Sequence, residues 1–300
     1  MSNYVIITPA FNEEKYIEST IKSVLSQTIK PVSWIIVDDG STDETGNIIK
    51  KYAEQYTWIK YLYRKKVAGQ TYYGSNVYAI EEGLKIIENV DYEYLAILDA
   101  DISLPPDYYA RILSKFDKDN ELGIASGVYI VRNNNRLEQV LNDRRSCPKN
   151  IMVFRQKCFM DINGFIPMKY GGEDTIACFM ARMNGWKTWS FPDMVVIHNK
   201  PVGTGHSKSM LKIRFRLGIG EYFLATHPLF LLIKSLRRCF RETPFILGGI
   251  LRLMGYIYAC FMNEPRQISI DLIKFIQKEQ LQRVFKGNKI PSEHQPKVSL

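Results

Sequence analysis

Four short apolar runs rich in Val, Ile and Tyr mark the first hundred residues, at 4–8, 34–38, 59–63 and 94–99. Each ends near turn or polar residues. Their apolarity is continuous rather than alternating, which suits strands buried on both faces of a parallel sheet. Between them the period changes to that of helices: Ile17, Ile21, Val24 and Leu25, then Ile48, Ile49, Tyr52, Ala53 and Tyr56, then Ile80, Leu84 and Ile87. Ser41 and Glu44 stand at capping-box spacing for the second helix. The alternation predicts a parallel sheet with helices on both faces. Ligands of such sheets sit at the carboxyl ends of the strands, which singles out residues 9–13, 38–43 and 99–101.

Residues 122–200 carry short strand patterns, among them 187–191 and 194–198, around one helix near 174–184. From residue 207 the chain turns helical, apolar and basic, through 211–226, 228–241 and 244–262, with a last helix at 268–284. The stretch 244–262 is almost free of charge, but Arg252 sits near its middle and Gly248, Gly249 and Gly255 interrupt it. This divides the chain into an α/β domain over 1–205 and a helical extension over 206–300. A composition 46% hydrophobic and 24% charged is globular and excludes disordered and low-complexity classes. Five cysteines without a C-x-x-C pair argue against a zinc site or disulfide framework and for a reducing compartment. No signal peptide is expected, since polar residues follow Val5, Ile6 and Ile7 almost at once. The net charge of +9 is uneven. Residues 1–205 hold 24 Lys and Arg against 25 Asp and Glu, whereas 206–300 hold 16 against 6. Nucleic acid, an anionic membrane or a polyanionic substrate could answer to that excess.

Three acidic segments carry candidate chemistry. Asp38 and Asp39 follow a strand directly, and Gly40 lets the chain turn into the next helix. A turn with an N-cap explains Gly40, Ser41 and Asp43 but not two adjacent carboxylates at a strand end. Asp99 and Asp101 flank Ala100 where the fourth strand leaves the sheet. Carboxylates at i and i+2 of an extended segment point the same way. Such a pair suits magnesium or manganese held together with substrate phosphates, as well as a solvated turn. Gly171 and Gly172 lead into Glu173 and Asp174 at a helix start, where acids complement the helix dipole or serve as a general base. His198 and His206, and the basic residues Lys65, Lys66, Arg144, Arg145 and Arg182, are weaker candidates.

The segments "ITPAFNEEKYIEST", "IIVDDGSTDET", "LAILDADI" and "GGEDTIACFMARMNGW" together resemble a family 2 glycosyltransferase of GT-A fold over most of residues 4–200. The resemblance implies a Rossmann-like, mostly parallel sheet. It also implies inverting transfer of a sugar from a nucleotide diphosphate sugar, usually with a divalent metal, Mg or Mn. Carried over, Pro9, Ala10, Phe11, Glu13, Asp39 and Asp99 would contact the nucleotide. Asp99, Asp101 and His198 would hold metal, and Asp174, beside Glu173, would be the base. The C-terminal third is similar to tails of bacterial enzymes that assemble surface polysaccharides. The stretch 65–84 matches the family's A-x-N-x-G pattern only loosely and leaves the donor open, with uridine preferred by resemblance.

Rival readings fare worse. A sugar-1-phosphate nucleotidyltransferase would need a glycine-rich turn where Pro9, Ala10, Phe11, Asn12 and Glu13 stand. A non-catalytic binding protein would not need the full set of carboxylates. A nucleic-acid binder would carry its basic residues in a polar arm rather than among aliphatic runs. The expected partners are therefore a nucleotide-sugar donor, a glycan or lipid-linked acceptor and an anionic membrane, with no nucleic acid. The expected location is cytoplasmic, peripheral on the inner face of the plasma membrane. Lys208, Lys212, Arg214, Arg216, Lys234, Arg237, Arg238 and Arg241, set beside apolar faces, suit a helix lying among anionic headgroups.

Overall fold

The computed structural model describes residues 3–66, 72–133, 136–139, 143–200, 209–240 and 244–286. The chain divides into two compact units, Met1–Lys208 and Ser209–Leu300.

The first unit opens with β1 (Tyr4–Ala10), α1 (Ile17–Leu25), β2 (Ser33–Asp38), α2 (Thr45–Gln55), β3 (Ile59–Tyr63), α3 (Tyr72–Ile86) and β4 (Tyr94–Leu98). It continues with β5 (Ile102–Ser103), α4 (Tyr108–Lys118), β6 (Leu122–Asn133), β7 (Arg136–Gln139), β8 (Ile151–Arg155), α5 (Gln156–Asp161), α6 (Glu173–Met183) and β9 (Lys187–His198). The described strands form one sheet in the order β3-β2-β1-β4-β8-β6-β9-β5, with β7 on β6. From β3 to β4 every pairing is parallel, as the continuous apolar runs predict. Beyond β4 the sheet is mixed: β8 runs antiparallel to both β4 and β6, and β5 antiparallel to β9.

Alternate residues of β1 enter opposite cores. Tyr4 and Ile6 pack with α1, α2 and α4, while Val5 and Ile7 pack with α3, α5 and α6. The runs 187–191 and 194–198, expected as two strands, form the single strand β9. Pro192 lacks an N–H for the ladder, and a register shift between Ser126 and Val128 on β6 carries the pairing past it. The capping box does not form. Helix α2 begins at Thr45, whose N–H donates to Asp43 Oδ1 at 3.1 Å, and Ser41 Oγ instead accepts from the Asn12 N–H at 3.0 Å.

The second unit holds α7 (Met210–Phe223), α8 (Pro228–Cys239), α9 (Leu247–Met262) and α10 (Ile270–Lys286). Pro228 takes the first turn of α8, where its missing N–H costs nothing, and His227 Nδ1 caps that end by accepting from the Leu229 N–H at 3.2 Å. Glu221 is buried among Arg252 Nη1 at 2.9 Å, Lys234 Nζ at 2.7 Å and Thr226 Oγ1 at 2.8 Å. Arg252, which interrupts the uncharged stretch, thus meets a carboxylate inside the unit. His206, Lys208 and Arg241 lie outside the described residues. Among the described residues no helix is long and apolar enough to cross a membrane.

Candidate functional site

The loops after β1 and β2 are laced together. The chain turns at Asn12, φ +54°, a left-handed conformation that asparagine tolerates. Asn12 Oδ1 accepts from the Thr42 N–H at 2.8 Å, and the Glu13 N–H donates to Thr45 Oγ1 at 2.8 Å. Pro9 and Ala10 are still inside β1 and buried. Gly40, φ +81°, supplies the turn that follows Asp39.

The two adjacent aspartates differ in use. Asp38 closes its own turn, accepting from the Ser41 N–H at 2.8 Å and from the Tyr61 hydroxyl at 3.1 Å. Asp39, equally buried, accepts from the Arg64 guanidinium on one carboxylate oxygen and from the Ser75 hydroxyl on the other. The Lys66 ammonium sits 4.1 Å above the Phe11 ring.

A second group gathers where β4 and β9 end. Asp101 is buried, and its Oδ1 lies 3.7 Å from His198 Nε2. His198 Nδ1 is 2.6 Å from the Lys200 carbonyl, which can only accept, so Nδ1 carries the ring proton and Nε2 bears a lone pair. Burial holds His198 below its ordinary pKa, against the pull of Asp99. Lys200 Nζ reaches Glu13 Oε1 at 2.6 Å, across 187 residues of chain. Burial, with Asp101 and Asp99 adding to it against Lys200, pushes Glu13 up to about 7. Burial and then the Asp99 charge push Asp101 up to about 7 as well. Glu13 Oε2, Asp99 Oδ1 and Asp101 Oδ1 are buried without a hydrogen-bond partner.

Oxygen acceptors without donors, one of them 3.7 Å from an imidazole lone pair, are the kind of donors a hard divalent cation takes. Among the described residues no group of three or more His, Cys, Asp or Glu side chains is placed to hold a metal ion by itself. Mg and Mn keep water and take substrate phosphates, so an ion here would need ligands beyond these side chains.

The third group is held by Lys149, on the turn before β8. Gly171 and Gly172, φ +84° and +95°, bring the chain into α6 through conformations that side chains resist. Glu173 is buried, with Oε1 2.8 Å from Lys149 Nζ. Asp174 is half-buried; its Oδ1 accepts from the Thr175 N–H at 2.7 Å and its Oδ2 from the Lys149 N–H at 3.4 Å. Burial and then the Glu173 charge push Asp174 up to about 6. Burial alone would lower Lys149, but Glu173 first and Asp99 second raise it above its ordinary value. Lys149 therefore sits electrostatically between the Asp99 group and the α6 pair, beside Asn150, whose carbonyl accepts the Asp99 N–H at 3.0 Å.

Sequence reading missed Lys149, Lys200, Arg64 and Ser75. The only signal for the three cations would have been the excess of nearby carboxylates, which needs the fold to be seen. Arg182, a candidate for phosphate, donates instead to the Arg145 carbonyl at 2.9 Å and to Thr188 Oγ1 at 2.7 Å.

Known proteins resemble this chain in sequence and in fold. The poly-beta-1,6-N-acetyl-D-glucosamine synthase of Staphylococcus epidermidis is 30% identical over 123 residues, which is 41% of this chain and 27% of the synthase. S. aureus TarS 1-349, solved in complex with UDP-GlcNAc, superposes with TM-score 0.53 at 17% identity, covering 72% of this chain and 64% of that one. The mannosyltransferase PcManGT from Pyrobaculum calidifontis, solved with GDP-Man and Mn2+, gives 0.56 at 18% identity, covering 95% and 81%. The fold is thus that of GT-A glycosyltransferases, with C-terminal helices. The glycosyl transferase family 2 profile matches residues 5–176, more than half of the chain, and this protein is a member of that family.

Proposed function

We propose that this glycosyltransferase inverts the anomeric centre as it moves a sugar from a nucleotide diphosphate sugar to a hydroxyl of a glycan or lipid-linked acceptor, in the synthesis of a cell-surface polysaccharide. One observation carries the reading. A group of Asp99, Asp101 and His198 whose Asp99 Oδ1 and Asp101 Oδ1 are buried without donors is linked electrostatically through Lys149 to a half-buried carboxylate, Asp174, whose pKa is raised into the working range of a base.

Pro9, Ala10, Phe11, Glu13 and Asp39 line the nucleotide end, with Arg64 and Lys66 as cations beside them. Asp99, Asp101 and His198 would hold a divalent ion, Mg or Mn, which when bound supplies Lewis-acid stabilisation to the departing diphosphate. The acceptor oxygen attacks the anomeric carbon from the face opposite the leaving group. The bond from that carbon to the phosphate oxygen breaks with its electron pair on the diphosphate, and the hydroxyl proton passes to Asp174. Glu173 is held in its ion pair with Lys149, so Asp174 is the carboxylate left to act. Attack from one side in one step needs no protein nucleophile.

UDP is the preferred nucleotide, a choice supported by the family resemblance and by the UDP-GlcNAc complex of TarS. The basic second unit is read as meeting an anionic membrane, which keeps the enzyme on the cytoplasmic face where lipid-linked acceptors are offered. A panel of UDP-, GDP- and dTDP-sugars, with and without manganese, tests the reading by thermal shift and by nucleotide release. The expected result is a metal-dependent shift and turnover with one UDP-sugar. Binding without turnover on any acceptor would make the chain a nucleotide-sugar-binding protein instead, and no shift with any nucleotide would overturn both.

A further inference from the structure

Helices α8 and α9 have their polarity reversed. On α9 the residues turned inward are Gly248, Gly249, Arg252, Gly255, Tyr256 and Ala259, mostly small and one of them charged. Its large apolar side chains, Leu247, Ile250, Met254, Ile257 and Phe261, are exposed, at spacings of three and four residues that keep them on one face. On α8 the exposed stripe is Leu229, Leu232 and Leu236, continued by Phe240. Phe240 and Phe261 are 77% and 85% exposed, far beyond what isolated surface apolar residues require.

The inward side is built from close backbone contact and a buried ion cluster. A Cβ on Gly255 would lie 2.1 Å from the Phe215 carbonyl oxygen of α7, and one on Gly249 would lie 2.4 Å from Cys239 Sγ of α8. Arg252 and Lys234 both turn to Glu221. Small residues at the contacts, polar groups as internal ties and apolar side chains outward are the arrangement that helices adopt in lipid.

Charge and length select the surroundings. Neither helix contains Asp or Glu, and the cations of α8 other than the inward Lys234 are Arg237 and Arg238 in its last turn. A second copy of the chain would bring the same arginines face to face, whereas anionic headgroups complement them. Helix α9, with 16 residues, is about 24 Å long at the usual rise, short of the roughly 30 Å of a bilayer core.

We infer that the α8–α9 pair inserts into one leaflet of a membrane, its two apolar stripes among the acyl chains and Arg237 at anionic headgroups. This deepens the membrane part of the function proposed above, on which it rests, by replacing adsorption to a charged surface with insertion.

The full-length protein is floated with phosphatidylglycerol-containing and with pure phosphatidylcholine vesicles, at low and high salt. In a Cys239→Ser background, an environment-sensitive fluorophore on the exposed Cys260 reports local polarity. Insertion predicts flotation that salt weakens but does not abolish, with a blue shift of the fluorophore. It also predicts at least about a tenfold fall in vesicle affinity for Ile257→Gln combined with Phe261→Gln, the scale of losing apolar burial. That variant should keep its circular dichroism and its nucleotide-sugar binding. Arg237→Gln should lower only the preference for anionic vesicles. Flotation that high salt abolishes, without a blue shift, would overturn insertion and leave adsorption standing. No flotation at all would overturn both. A dimer that ignores vesicles and turns monomeric in the double variant would make a second copy the occupant and overturn the proposal.

Discussion

Lys149 holds both carboxylates that open α6: its ammonium lies 2.8 Å from Glu173 Oε1, and its backbone N–H points at Asp174 Oδ2 from 3.4 Å. The side chain neutralises one acid while the backbone orients the other. The two neighbouring acids nevertheless differ. Glu173 is confined as half of an ion pair, whereas burial and then the Glu173 charge raise the proton affinity of Asp174 against the opposing pull of Lys149.

Removing the ammonium should strand Glu173 as a buried, uncompensated charge. Lys149→Met is expected to destabilise the first unit by about 3–5 kcal/mol, the usual cost of breaking a buried pair. Lys149→Arg should recover part of that loss, and Lys149→Met combined with Glu173→Gln should recover more. Chemical denaturation of the full chain measures all three. Equal losses in the single and double variants would show that Lys149 stabilises through packing rather than charge.

A base must be ionised to take a proton, and Asp174 is the carboxylate proposed for that role. With Asp174 raised from 3.8 to about 6, the rate of transfer should fall tenfold per pH unit as pH drops below about 6, rather than below about 4. Asp174→Asn should remove that acid limb, keep donor affinity and lower transfer by roughly 10²–10⁴-fold. Glu173→Gln should be milder. If Glu173→Gln proves the more damaging change, the base is the other carboxylate.

A divalent ion bound as proposed would compete with Lys200 for the same negative cluster. Lys200→Met removes the ammonium from Glu13 but leaves the carbonyl that orients His198. Manganese affinity of the donor-free protein, followed by calorimetry or electron spin resonance, should therefore rise, while affinity for a nucleoside diphosphate falls. Asp101→Asn should abolish manganese binding with the fold intact. Full activity of that variant in chelator would refute the metal assignment.

The second unit should carry its own acid sensitivity. Glu221 is lowered from 4.5 to about 2 because Lys234 and then Arg252 outweigh the burial that would raise it. A carboxyl depressed on folding contributes stability that is present above its unfolded value and is lost as pH falls through the folded one. About 3 kcal/mol of protection should thus disappear between roughly pH 4.5 and 2. Hydrogen exchange of the α7 and α9 amides of the full chain measures it. Glu221→Gln should flatten that dependence.

Much of this protein is written along the chain. The parallel half of the sheet is legible because strands buried on both faces must be apolar throughout. Asp39, Asp99, Asp101 and Asp174 stand out as candidates in the sequence because their segments occur together, in the order of the family resemblance, although a turn or the helix dipole alone could account for each. The direction of the remaining strands was not legible, since an apolar run has the same pattern whether it pairs parallel or antiparallel. That direction sets β8 beside β4 and so carries Lys149 to Glu173, and the return of β9 carries Lys200 to Glu13.

Such lysines have no local signature. Their partners lie 24 and 187 residues away, and a basic residue next to polar neighbours looks like any solvated one. The C-terminal helices make the same point in reverse. Helical spacing fixes that α8 and α9 each have an apolar face, because side chains three and four apart lie together on any helix. Which face turns inward is decided by what the neighbouring helices offer. Here that is Glu221 and glycine-lined backbone, so Arg252 goes in and the apolar stripes stay out.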